Sequence, residues 1–173
     1  MKYKLIVSDI DGVWTDGSFY FSIEGDAMRK FTTKDSYGVS LCRLVEIPLL
    51  ILSSEDNVMV RKRLQKLNVE HVRLGVRNKI DIIRAFCKEM NVSMSEVAFL
   101  GDDMNDYHLV GEVGLFGCPA DAYPLIKENA DLVLEKVGGE GVFREFVENI
   151  LDQEGMLQET YKKYIRECLR KQE

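Results

Sequence analysis

Two acidic clusters stand directly behind two apolar runs, and their composition and spacing suit phosphorus chemistry. Asp9 and Asp11 follow Tyr3-Lys4-Leu5-Ile6-Val7-Ser8, while Asp102 and Asp103 follow Val97-Ala98-Phe99-Leu100-Gly101. On extended chain, residues i and i+2 project the same way. One carboxylate of the Asp9-Ile10-Asp11 step can therefore attack phosphorus, as aspartate does in forming an aspartyl-phosphate. The other can give a proton to the leaving oxygen and later take one from water. Carboxylates crowded together are costly unless a cation neutralises them. An all-oxygen site with open positions suits Mg²⁺, which keeps several waters and accepts a phosphate oxygen. A calcium-loop reading fails. Asp9-Ile10-Asp11-Gly12 lacks the loop's third acid, and the twelfth position is Tyr20 where a Glu is needed. Any one of these aspartates could equally be a turn-former that caps a helix. Two clusters, each behind a buried-strand pattern, favour a shared site.

The elements that must bring the clusters together alternate between β-rich runs and helix-period stretches. That alternation predicts an α/β fold: a Rossmann-like, open, mostly parallel sheet with helices on both faces. In such a sheet, ligands bind beyond the carboxyl ends of the strands. After the first strand, runs 17–22 and 27–31, split by Glu24-Gly25-Asp26, read as a β-hairpin. A short helix over 38–45, a strand over 47–52, a helix over 56–67 and a strand over 69–74 follow. Asn78 can cap a helix running to Met90, and Ser93-Met94-Ser95-Glu96 is a capping-box pattern. Beyond the strand at 97–100, a helix to about Val110, strands near 113–116 and 131–134, and a helix over 123–129 are expected. A Gly138-Gly139-Glu140-Gly141 loop leads into a helix over 142–151. From Leu157, the stripe Tyr161, Tyr164, Ile165, Cys168 and Leu169 predicts an amphipathic helix docked on this chain or on a neighbour. The organisation expected is one domain over 1–152 and a helical tail over 153–173.

Composition narrows the function classes. The 173 residues carry 23 Lys+Arg against 29 Asp+Glu, a net charge of −6, which argues against general nucleic-acid binding. Leu44 to Leu52, the longest apolar run, is broken by Glu46 and Pro48 and falls short of the ~20 residues a membrane span needs. The start, MKYKLIVSD, turns acidic too soon for a secretory signal. Cys42, Cys87, Cys118 and Cys168 form no C-x-x-C pair, and reduced core thiols in a cytoplasmic protein are the expectation.

At this point the motifs carry a resemblance. Asp9-Ile10-Asp11-Gly12-Val13-Trp14-Thr15-Asp16 resembles the first motif of the haloacid dehalogenase superfamily of phosphatases. Ser53 matches its second motif, Lys79 its third, and Gly101-Asp102-Asp103-Met104-Asn105-Asp106 its acidic fourth, all in family order. The resemblance implies that Asp9 is nucleophile and Mg²⁺ ligand, and that Asp11 is general acid/base, lending its carbonyl to the metal. It further implies that Asp102 is the third protein ligand. Ser53 and Lys79 would hold the phosphoryl oxygens, and Asp103 and Asp106 would orient Lys79 and the metal's waters. A phosphoacceptor receiver module shares a parallel sheet, a strand-end Asp and a Lys. It needs a lone Asp after its third strand, and Ser53 follows the next core strand here.

The gaps Asp11–Ser53 and Ser53–Lys79 leave no room for an inserted cap domain. This layout is similar to the capless sugar-acid branch of the superfamily, the octulosonate 8-phosphate and nonulosonate 9-phosphate phosphatases, whose homotetramers complete each site from neighbours. The stretches 31–38 and 138–145 carry the likeness; Ser36-Tyr37 and Val142-Phe143 depart from the octulosonate pattern. The resemblance therefore implies a small sugar-acid phosphate as substrate, with a nine-carbon 3-deoxy-nonulosonate 9-phosphate preferred and the eight-carbon acid as alternative. Glu55, two residues past Ser53, would face the site mouth and accept hydrogen bonds from sugar hydroxyls. Lys66 would help select the substrate, and Arg144 would clamp it. Both cations could also be ordinary solvated helix charges.

Overall fold

The computed structural model describes residues 1–170. Eight strands and six helices run in the order β1 (Leu5–Ser8), β2 (Tyr20–Ser22), β3 (Gly25–Met28), α1 (Lys34–Leu44), β4 (Leu49–Ser53), α2 (Val58–Lys66) and β5 (His71–Leu74). They continue with α3 (Lys79–Met90), β6 (Val97–Leu100), β7 (Leu115–Cys118), α4 (Pro124–Asn129), β8 (Leu132–Val133), α5 (Val142–Gln153) and α6 (Leu157–Arg170). Six strands form one parallel sheet in the order β5-β4-β1-β6-β7-β8, and β2 and β3 form a separate antiparallel pair.

β1 lies in the middle of the sheet, paired with β4 on one side and β6 on the other. Its period-two pattern feeds two cores. Ile6 faces the layer holding Val39, Leu64, Phe143 and Phe146, whereas Leu5 and Val7 face Ile83, Phe86 and Ile126. Helices α1, α2 and α5 thus cover one face, and α3 and α4 the other. Strand order steps outward from β1 through β4 to β5, then reverses through β6 to β8. The switch point between β1 and β6 is where a ligand crevice opens in sheets of this kind, and both acidic clusters leave the sheet there.

Local chemistry explains most boundaries. Asn57 and Asn78 cap α2 and α3, each accepting from a backbone N–H in the first turn, and Ser93 and Glu96 form the capping box. α1 begins four residues earlier than the apolar pattern suggests, because Asp35 in its first turn is buried against α5, its Oδ1 accepting from Arg144 N at 3.2 Å. Desolvation there pushes the Asp35 carboxyl up to about 7, against the lowering effect of the Arg144 and Phe143 backbone N–H groups. The helix expected to follow Asp103 is only a 3-10 turn over Tyr107–Leu109. Aspartate side chains take the backbone donors a helix would use: Asp103 Oδ1 accepts from Met104 N, and Asp106 Oδ2 from Asp102 N. In the hairpin the turn is tighter than the Gly-centred reading, falling at Ile23-Glu24, and β3 ends at Met28. Arg29 and Phe31 consequently leave the ladder and fold inward, with Phe31 packed on the core, while Lys30 points outward to Glu140. The tail helix α6 packs on α1 and α5 of its own chain, through Leu157 and Tyr161; residues 171–173 of that tail lie outside the described residues. Cys42, Cys87 and Cys118 are buried free thiols and Cys168 is half-buried. Among the described residues no helix is long and apolar enough to cross a membrane.

Candidate active site

The acids of the site leave the sheet at the ends of β1 and β6. Asp9 N donates to Leu100 O at 2.9 Å, so the two strand ends are locked together where they release their acids. Asp9 is buried, and its Oδ1 accepts from Ile10 N at 2.7 Å. A carboxylate oxygen each from Asp9, Asp102 and Asp106 lies within 4.8 Å of the others. Gly12 makes this approach feasible: with φ +75, it lacks the Cβ that would sit 1.9 Å from Asp102 Oδ2. Desolvation, with the nearby charges of Asp9 and Asp103, pushes the Asp102 carboxyl up to about 8. Those repulsions mark a site whose donors fit a divalent cation: hard oxygen ligands, excess negative charge and an exposed side toward the loop.

Lys79 supplies the local counter-charge. Placed at the first turn of α3 by the Asn78 cap, it is wholly buried, with Nζ 2.7 Å from Asp9 Oδ2 and 2.6 Å from Asp106 Oδ1. Burial works against the ammonium, but Asp106 and Asp9 outweigh it and hold the Lys79 pKa above its ordinary value. Asp106 is therefore the residue that orients Lys79. Asp103, given the same task by the family pattern, is exposed and turned onto its own loop at Met104 N, 2.7 Å away. Of the two, Asp106 alone reaches Lys79: three residues along an irregular loop change which side chain faces in.

Asp11 faces a ring of donors. Ser53 Oγ, at the end of β4, donates to its Oδ2 at 3.4 Å, and Thr15 Oγ1 lies 3.5 Å from its Oδ1. Arg29 binds Asp11 through Nη1, while its Nη2 contacts Glu55 at 2.5 Å and Asp26 at 3.2 Å. Desolvation raises the Asp11 pKa, Arg29 opposes the rise, and Asp9 adds to it. Glu55 does stand at the mouth, half exposed, but its carboxylate is tied to Arg29. Sequence reading does not single out Arg29. It sits 18 residues from Asp11 in a run that reads as an ordinary strand, and only the early end of β3 turns it inward.

Two expected substrate residues lie elsewhere. Lys66 is the last residue of α2, a helix whose first residues flank the mouth. It lines a surface depression with Arg43, Asn68 and Tyr164, near none of the aspartates. Arg144 turns along α5 to Glu148, with Nε to Oε1 2.5 Å, and stacks over Tyr37 at 5.2 Å. Within one chain, neither joins the acids. The adjoining glycine loop does border them: Gly139 N donates to Val13 O at 2.9 Å, and a Cβ on Gly138 would lie 2.1 Å from Gly12 O.

Residues 54–146 match the sequence profile of haloacid dehalogenase-like hydrolases. The chain is also 31% identical to the 3-deoxy-D-manno-octulosonate 8-phosphate phosphatase of Escherichia coli K12 over 157 residues, covering 91% of this chain and 84% of that protein. The chain belongs to the haloacid dehalogenase-like hydrolases. It is a phosphoric monoester hydrolase. The profile begins at residue 54, beyond Asp9, Asp11 and Ser53, whose place in the site rests on the geometry. Solved structures agree. A Moraxella catarrhalis 3-deoxy-D-manno-octulosonate 8-phosphate phosphatase, crystallised with magnesium, phosphate and the sugar acid, superposes with a TM-score of 0.88 at 26% identity, covering 94% of both chains. A cobalt-bound Haemophilus influenzae enzyme of that activity gives 0.85 at 30% identity, covering 90% of this chain and 91% of that one.

Proposed function

We propose that this chain is a Mg²⁺-dependent phosphatase for an eight-carbon 3-deoxy sugar-acid 8-phosphate, working through an aspartyl-phosphate. The observation that carries the reading is the convergence of Asp9, Asp11, Asp102, Ser53 and Lys79 at one sheet edge, in a chain matched along nine-tenths of its length by phosphatases of that substrate. The nine-carbon preference expected from the sequence gives way here. The relatives just described are named for the eight-carbon acid, and Lys66, half of the case for the longer substrate, stands away from the site.

Asp9, its carboxylate held by Ile10 N and Lys79, attacks phosphorus. Ser53 and Lys79 donate to the equatorial oxygens, where most stabilisation of phosphoryl transfer lies. Asp11 gives a proton to the departing sugar hydroxyl, then takes one from the water that hydrolyses the aspartyl-phosphate. Mg²⁺, held by Asp9, Asp102 and the Asp11 carbonyl, would offset the phosphoryl charge. Asp106 keeps Lys79 in place.

The same reading includes a homotetramer. Phe19, Phe21, Ile23 and Met28 are 43%, 74%, 105% and 61% exposed on one small hairpin, an apolar patch that a second copy of this capless chain would cover. Buried reduced thiols suit a cytoplasmic setting. The deciding experiment is kcat/KM for the eight-carbon and nine-carbon acid phosphates side by side, with Mg²⁺. The eight-carbon ester should be preferred; preference for the nine-carbon ester restores the other substrate, and hydrolysis of neither defeats the reading.

A further inference from the structure

We propose that Arg29 is the residue of the hairpin that reads the leaving group: it rests on Asp11 and Glu55, and in the productive complex donates to hydroxyl oxygens of a polyhydroxylated leaving group. This rests on the phosphatase reading above and assigns the one basic side chain that, among the described residues, touches the general acid.

Four observations support it. The Arg29 side chain is wholly covered, packed 4.4 Å from the Phe19 ring centroid, yet its Nε has no acceptor. A guanidinium carries five N–H donors in a fixed fork, so a buried orphan beside the mouth is a donor waiting for an oxygen. Secondly, Asp11 must aim its carboxyl at the leaving oxygen during the reaction. In the resting arrangement Arg29 and Thr15 both face its Oδ1, and Ser53 faces its Oδ2. The Arg29 contact is the one that can yield, because Ser53 and Thr15 sit on the fold itself.

Thirdly, Arg29 belongs to the part of the molecule most able to move. β2 and β3 pair only with each other, and a lone two-stranded ribbon is marginal by itself. Its polar ties to the loop between β4 and α2 are Arg29 to Glu55 and Asp26 to Asn57 Nδ2 at 2.6 Å. Finally, Glu55 stays half exposed at the mouth, so a guanidinium leaving Asp11 keeps an anionic partner while its other N–H groups turn to the ligand.

The test measures steady-state kinetics of the Mg²⁺-loaded wild type, Arg29→Ala and Arg29→Lys. The substrates are the eight-carbon sugar-acid phosphate and p-nitrophenyl phosphate, whose leaving group has no hydroxyls and departs without a proton. Arg29→Ala should raise KM for the sugar-acid ester about tenfold and raise kcat/KM for p-nitrophenyl phosphate about threefold, as Asp11 and the mouth are freed. Arg29→Lys keeps the charge but lacks Nε and the fork, and should still raise the sugar-acid KM about threefold; it carries the test should the alanine variant melt. Equal losses on both substrates, or an unmoved sugar-acid KM in both variants, overturn the inference alone. A wild type that hydrolyses neither ester overturns the phosphatase reading, and the inference with it.

Discussion

The crevice between β1 and β6 and the hairpin of residues 20–28 sit against each other but obey opposite rules. The crevice is made of strand ends in the middle of a six-stranded sheet, with Asp9 and Asp106 buried and both bonded to the buried Lys79. The hairpin hydrogen-bonds as a sheet only to itself and exposes Phe21 and Ile23 almost entirely. Phosphoryl transfer needs charges held within a fraction of an ångström, which only a packed scaffold supplies. Admitting and recognising a sugar needs an element that can shift. The difference places chemistry on the part that cannot move and selection on the part that can, with Arg29 reaching from one to the other.

The sharpest way to break this division is Asp9→Asn. The amide keeps the shape but cannot form an acyl-phosphate, so turnover should fall by about 10³-fold or more. The amide oxygen can still accept from Lys79 and Ile10 N, and the lost ion pair is offset by relieved repulsion among Asp9, Asp102 and Asp106, so the Tm should hold. A phosphate-release assay beside a thermal melt checks both, and activity within about tenfold of wild type removes the nucleophile assignment. Asp106→Ala comes next. It leaves Lys79 buried with Asp9 alone, and losing one of its two charge-assisted hydrogen bonds should cost about 2 kcal/mol, a Tm loss of about 4–8 °C. Scanning calorimetry reads it; an unchanged Tm would mean the crevice is less tightly built than the hairpin contrast requires. The smallest effect on the fold belongs to Phe21→Ser with Ile23→Ser. Those side chains touch little within the chain, so far-UV circular dichroism should not change, while light scattering should show a smaller assembly. A wild-type chain that is already monomeric and fully active leaves the hairpin without its neighbour.

Expectation and structure agree best where local pattern decides. Apolar runs ending in aspartate mark β1 and β6 because a parallel sheet buries both faces of its strands and stops where polar residues begin. Asn78 and Ser93 cap as expected because a cap is a contact within a few residues. Agreement fails in the loop after β6. There Asp103 and Asp106 compete with the helix for backbone donors, and a motif cannot say which of the two faces Lys79.

Sequence alone determined the α/β class, the strand-end aspartates and the missing cap, because each rests on periodicity, residue type or spacing along one dimension; Ser53 and Lys79 stand out only through the family resemblance. Tertiary structure alone decided that Arg29 meets Asp11, that Asp106 rather than Asp103 holds Lys79, and that Lys66 and Arg144 stand apart from the acids of their own chain. The reason is physical. A side chain's partner is set by where the backbone turns and by which rotamer packing leaves open, and residues 18 or 27 positions apart carry no local mark of having met.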